Sequence, residues 1–168
     1  MSKEVVIVAY ARTPLGSFMG SLSSIPATRL GANAITGALS QIDISKSDID
    51  QVIMGNVLSA GLGQSPARQS AMFADLPDSV ETFTINKVCG SGLKAIMLAQ
   101  QSILLGEAEI VIAGGMENMS KCPHYMFSNR DGLRLGDGKL VDGIIKDGLW
   151  DVYNQKHMGN CAEVCAEK

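Results

Sequence analysis

The sequence predicts an α/β fold in which helices cover a mainly parallel sheet, and three observations carry that reading. Four short segments, Val5 to Tyr10, Val52 to Leu58, Val80 to Asn86 and Glu109 to Met116, are apolar or β-branched at strand length. Helical patterns separate them, and strands that alternate with helices imply βαβ units with right-handed crossovers. The run Ile110-Val111-Ile112-Ala113 lacks polar alternation, as expected of a central strand covered on both faces.

The elements follow in order. After Val5 to Tyr10, Pro26 opens a helical segment that places Leu30, Ala34, Ile35, Ala38 and Leu39 on one face. Ser65 followed by Pro66 is a cap and first-position signal for a second helix reaching about Leu76, where Pro77 stops it. A third helix begins near Gly90, carries Leu93, Ile96, Met97 and Leu104 on one side, and ends at Gly106, a residue suited to the left-handed terminator. Beyond Gly114-Gly115 the periodicity lapses. From Glu117 to about Lys146 the chain is rich in Gly, Asp, Asn and Lys, so an irregular excursion is expected. The expected division is an incomplete α/β domain over 1–118 and the start of a loop domain over 119–168. Met158, Cys161, Val164 and Cys165 share a helical face near the end, with no cap or breaker after them, and the architecture is expected to continue past Lys168.

The composition restricts the function. Of 168 residues 46% are hydrophobic, enough to bury a core. Fourteen basic and 17 acidic side chains give a net charge of -3, without a run of like charge. That balance argues against nucleic acid or an anionic membrane as partner. Val5-Val6-Ile7-Val8 is too short for a signal core or a spanning helix, so a soluble, cytoplasmic protein is expected. The four cysteines, Cys89, Cys122, Cys161 and Cys165, form no C-x-x-C pair and are expected to be reduced.

The chemistry concentrates in Thr84-Ile85-Asn86-Lys87-Val88-Cys89-Gly90-Ser91-Gly92-Leu93-Lys94-Ala95, where a strand ends, a thiol follows and two glycines open a helix. Amides at a helix start lack intrahelical partners and lie at the positive end of the macrodipole, a setting that favours a thiolate. Cys89 is therefore the candidate nucleophile, weighed against the commoner role of a cysteine as a small buried hydrophobe. The same residues match G-x-G-x-x-A, a dinucleotide-binding pattern, and Glu117 is the acidic residue a nicotinamide dehydrogenase would need, though later than usual. That reading leaves Cys89 without a role. Cys122-Pro123-His124 lacks the further ligands a zinc site requires, so no metal and no bound cofactor are expected.

Asn86 to Ala95 closely resembles the nucleophile segment of thiolases. Ala11-Arg12-Thr13-Pro14-Leu15-Gly16-Ser17-Phe18 resembles their opening after the first strand, and Gly63-Gln64-Ser65-Pro66-Ala67-Arg68-Gln69 their second-helix entry. Ala113-Gly114-Gly115-Met116-Glu117-Asn118-Met119-Ser120 resembles the signature after their fourth strand. Ser65 and Glu81 stand where asparagine and proline are frequent. Lys146 to Asp151 and His157-Met158-Gly159 are similar to short-chain members acting on acetoacetyl-CoA. The resemblance implies Cys89 as acyl carrier, Leu149, His157 and Met158 as acyl and pantetheine contacts, acetyl-CoA and acetoacetyl-CoA as substrates, and a homodimer or homotetramer. It implies a duplicated layered fold whose C-terminal sister domain supplies the activating histidine, a second cysteine and a water-positioning asparagine. Motifs of the N-E-A-F, G-H-P and C-x-G-G-G type do not occur in these 168 residues. Taken alone, the chain is expected to turn over poorly. A β-ketoacyl synthase shares the architecture but ordinarily lacks this set of flanking motifs, and a non-catalytic dimerising scaffold is the remaining alternative.

Overall fold

Three of the four expected strands pair in one parallel sheet. In the computed structural model, which describes residues 4–167, β1 (Gln51–Gly55) lies between β2 (Glu81–Ile85) and β3 (Val111–Gly115). The register aligns Gln51 with both Glu81 and Val111, and Gly55 with both Ile85 and Gly115. All three strands therefore end level with one another, and the carboxyl edge of the sheet is flush.

Helix α1 (Ala27–Leu39) precedes β1, α2 (Pro66–Phe73) joins β1 to β2, and α3 (Ser91–Leu105) carries the chain from β2 back across β1 to β3. The two crossovers run in opposite directions, so equal handedness sends α2 and α3 to opposite faces. Side chains alternate accordingly along β1. Val52 and Met54 pack with Ala32, Ile35, Ala67 and Ala71, whereas Ile53 packs with Ala95 and Ala99. Asp50 ties the amino edge together: its carboxylate accepts the N–H groups of Glu109 (2.7 Å) and Ile110 (3.0 Å), and its backbone bonds both neighbouring strands.

The structure departs from expectation at several elements. Val5 to Tyr10 forms no strand. Val6, Ile7 and Val8 are exposed, and Gln41 Nε2 donates to the Tyr10 carbonyl (2.8 Å). Strand propensity is a preference for a pleated surface that needs a neighbouring strand, and no described strand pairs with this segment. In α1 the fully buried face is Ala27, Thr28, Gly31, Ala32 and Ile35, rotated toward the small residues that allow close approach to α2. Leu30, Ala34, Ala38 and Leu39 are only half-buried. Helix α2 ends at Phe73 because Asp75 turns left-handed (φ 56°), and Leu76 N–H returns to the Ala71 carbonyl. Ser65 makes no side-chain cap; Ala67 N–H donates instead to Thr84 Oγ1 on β2 (2.9 Å).

Helix α3 begins and ends where expected, with Gly106 at φ 78°. Its small residues, Ser91, Ala95, Ala99 and Ser102, are the buried ones, while Leu93, Ile96, Met97 and Leu104 face outward. Large apolar side chains do not identify the packing face when close approach to a sheet favours alanine and serine. Val88–Leu105 is long and apolar enough to cross a membrane by length and composition alone, yet this helix packs on β1 and β3.

The unit up to Lys121 contains these elements, and residues from Cys122 onward form a second. There β4 (His124–Tyr125) pairs antiparallel with β5 (Val141–Asp142), and after a 3-10 turn at Phe127–Asn129 residues 130–140 are exposed and irregular. A π-helical turn, Ile144–Leu149, leads to β6 (Trp150–Asp151), which pairs antiparallel with β7 (Lys156–His157). Helix α4 (Met158–Ala166) follows, and the face shared by Met158, Val164 and Cys165 is exposed.

Candidate active site

Between Ile85 and Ser91 the chain leaves the carboxyl edge of the sheet and turns into α3, the edge at which parallel α/β sheets bind ligands. Cys89 lies in this turn and is exposed, with a free thiol. The turn is held by two side chains. Asn86 Oδ1 accepts the N–H of Val88 (2.9 Å). Ser91 Oγ accepts the N–H of Lys87 (2.8 Å) and donates to the carbonyl of Val88 (2.6 Å). Val88, immediately before the thiol, is left-handed at φ 48°. For a β-branched residue that conformation costs on the order of 1–3 kcal/mol and persists only where its surroundings enforce it.

Glycines bring α3 against the strand ends. A Cβ on Gly55 would lie 2.6 Å from Ser91 Cβ and 2.9 Å from Gly92 N, and one on Gly115 would lie 3.5 Å from Gly92 Cα. The amides at the helix mouth are not all open, as a helix start alone would suggest: Gly90 N–H donates to Lys87 O and Ser91 N–H to Val88 O, both at 3.1 Å. The turn itself takes up these two donors.

Glu117 is occupied by the loop after β1. Its carboxylate accepts from the N–H of Val57 (2.9 Å) and Leu58 (3.3 Å) and from Asn56 Nδ2 (2.9 Å). A carboxylate spent on three donors of the protein is not free for a ribose hydroxyl, which removes the main support for the dinucleotide reading. Asn56 Nδ2 also donates to the Met116 carbonyl (3.1 Å), so both neighbours of the amide nitrogen are acceptors and the amide orientation is fixed. Its Oδ1 is buried without a hydrogen-bond partner among the described residues.

The second unit gathers Leu149, His157 and Met158. Trp150 lies opposite His157 across the β6–β7 pair, so Leu149 and Met158 flank the same end of the hairpin. Leu149 and His157 are half-buried, and Met158 is exposed. His157 caps α4: its Nδ1 accepts the N–H of Gly159 (3.0 Å), which leaves the neutral ring as the Nε2–H tautomer, a donor. Tyr125 donates to the Asp147 carboxylate, and that hydrogen bond, with some burial, pushes the phenol up to about 12. Among the described residues no group of three His, Cys, Asp or Glu side chains could hold a metal ion. A cleft of about 190 Å³ between the later turns of α3 and the sheet is lined by Ile53, Phe83, Leu98 and Leu105, at the end of α3 away from Cys89.

The sequence pattern points to Cys89 but not to the side chains that shape its turn. Asn86 carried a local signal, since an asparagine two residues before a backbone amide commonly forms an Asx turn. Ser91, Gly55 and Thr84 carried none, because their roles depend on partners in other elements or on a close approach that spacing does not encode.

The chain belongs to the thiolase family: residues 5–168 match the thiolase N-terminal domain. Among curated relatives it is 58% identical to an acetyl-CoA acetyltransferase of Cupriavidus necator over 98% of this chain and 42% of the relative. It is 57% identical to acetyl-CoA acetyltransferase 2 of Arabidopsis thaliana, over 99% of this chain and 41% of that protein. The mitochondrial acetyl-CoA acetyltransferase of Homo sapiens is 54% identical over 99% of this chain and 38% of the human protein. The chain thus spans about two-fifths of the length of these relatives.

Proposed function

We propose that this chain provides the nucleophile portion of an acetyl-CoA acetyltransferase, with Cys89 as the acyl carrier. The observation that carries the reading is an exposed thiol at the carboxyl edge of the sheet, in a chain 58% identical to such an enzyme across 98% of its residues. The Cys89 thiolate would attack the carbonyl of an acyl-CoA, forming an acyl-cysteine thioester and releasing the CoA thiolate. The exchange of one thioester for another is close to isoenergetic, so the acyl group stays activated. The backbone N–H of Cys89 would donate to the oxyanion of the tetrahedral intermediate. A second acetyl-CoA, deprotonated at its methyl carbon, then attacks the acyl carbonyl, breaking the acyl–sulfur bond so that acetoacetyl-CoA forms and the Cys89 thiolate is released; the reverse is thiolysis.

Leu149, His157 and Met158 are proposed to contact the acyl and pantetheine parts of the substrate, with Nε2–H of His157 as a donor. The protein is proposed to act in the cytoplasm as a homodimer or homotetramer. The outward apolar face of α3, including Leu93 and Leu104, supports burial against further protein, and size-exclusion chromatography tests it.

The decisive test of the carrier reading is isotope exchange. Incubated with acetyl-CoA and isotopically labelled CoA, the chain should move label into acetyl-CoA without a second acetyl group, as a ping-pong half-reaction does. Exchange that survives Cys89→Ala at the parent rate would end the proposal.

A further inference from the structure

We propose that Asn86 and Ser91 are positioning residues that hold Cys89 in place by clamping Val88 in its left-handed conformation. The proposal builds on the reading of Cys89 as acyl carrier. A valine at φ 48° does not stay there unaided, and the structure shows what opposes its relaxation. Its N–H is held by Asn86 Oδ1 from one side, and its carbonyl by the Ser91 hydroxyl from the other. The Ser91 hydroxyl also holds the N–H of Lys87, so a single buried oxygen fixes two peptide groups of the turn. Ser91 is itself buried, 5% exposed, and lies against Gly55 at the end of β1. The strand end thus anchors Ser91, Ser91 and Asn86 fix Val88, and Val88 sets the direction in which Cys89 leaves the chain. Neither clamp residue needs to touch substrate. Released, Val88 would return to a φ below zero, and the thiol would leave its place at the carboxyl edge of the sheet, ahead of the first turn of α3.

The test is the rate of Cys89 alkylation by iodoacetamide in the 168-residue chain, read by peptide mass spectrometry with exposed Cys165 as reference in the same sample. Asn86→Ala and Ser91→Ala should each lower the Cys89 to Cys165 rate ratio about five-fold or more, because the sulfur leaves the exposed position in which the turn presents it. Asn86→Asp keeps the acceptor oxygen and should stay within about two-fold of the parent. Val88→Gly added to Ser91→Ala should restore the ratio, because glycine adopts positive φ without strain. A ratio unchanged by both alanine variants overturns the proposal, and so does a loss in Ser91→Ala that Val88→Gly leaves unrepaired. Should Ser91→Ala lose its helical circular dichroism, the pair Asn86→Ala and Asn86→Asp decides by the same ratio, equal values overturning the clamp. Iodoacetamide reads the clamp without reference to acyl transfer. The acetyl-CoA exchange reaction of the parent chain fails separately if the carrier reading is wrong.

Discussion

Gly55 and Ser91 are in contact where β1 ends and α3 begins, so close that a Cβ on Gly55 would lie 2.6 Å from the Ser91 Cβ and 2.8 Å from the Ser91 carbonyl carbon. The obstacle is backbone and a helix start, which cannot swing aside as a long side chain can. Gly55→Ala should therefore cost about 1–3 kcal/mol through overpacking. Gly106→Ala makes a useful contrast: φ is 78° but nothing lies within 4 Å of the added Cβ, so only backbone strain of about 1 kcal/mol is expected. Urea denaturation of the two variants measures the difference. Gly55→Ala should also alter the Cys89 alkylation rate, and Gly106→Ala should not.

Thr84 supplies the cap that Ser65 does not. Its hydroxyl accepts the N–H of Ala67 in the first turn of α2, and Ala67 is fully buried. Thr84→Val keeps the shape and removes the acceptor, leaving a buried donor unpaired at a cost of about 1–3 kcal/mol. Thr84→Ser should recover most of it. Equal stability of the valine and serine variants in denaturant melts would exclude the tertiary cap.

Asp50 predicts an acid dependence of the sheet. The N–H groups of Ile110 and then Glu109 hold its carboxyl below the ordinary carboxylate range, opposed by slight burial. A folded pKa below the unfolded one means the contribution is fully present above the unfolded value and is lost as pH falls through the folded value. Asp50 is exposed, and solvent screening limits the effect to about 1 kcal/mol or less. Asp50→Asn should be less stable than the parent at neutral pH, with the difference shrinking toward acid. Thermal melts across that range check the sign, and a difference that grew in acid would contradict it.

The missing sequence motifs make a kinetic prediction. The resemblance to thiolases implies an activating histidine and a second, α-proton-accepting cysteine in motifs that these 168 residues do not contain. Acetoacetyl-CoA thiolysis by the chain alone should be at least about 100-fold slower than by the Cupriavidus necator relative assayed alongside, the scale of lost general acid–base catalysis. Comparable turnover would show that the chain carries its own base.

Much of the fold was legible because its signals are local. Gly106 announced the end of α3, and Ile110 to Ala113 announced a paired strand, but not its place. β3 is half-buried at the edge of the described sheet, where a central strand covered on both faces was expected, because β1 takes the middle position. Cys89 was legible for the same reason, as a thiol between strand and helix signals. What the sequence concealed depends on neighbours. Val5 to Tyr10 has strand composition but no described partner strand. Leu93 and Leu104 share one side of α3 and are exposed; periodicity shows which residues share a side and not which side meets the sheet. The clamp on Val88 was hidden as well, since a positive φ on valine is dictated by Asn86, Ser91 and Gly55 acting together.

The claim that matters most is that Cys89 becomes acylated. The chain should be incubated with acetyl-CoA, digested, and its four cysteine peptides searched for a thioester that hydroxylamine removes. The account predicts the acetyl group on Cys89, released by added CoA and missing from Cys89→Ala. Acetyl distributed over Cys122, Cys161 and Cys165 as heavily as over Cys89 would contradict it.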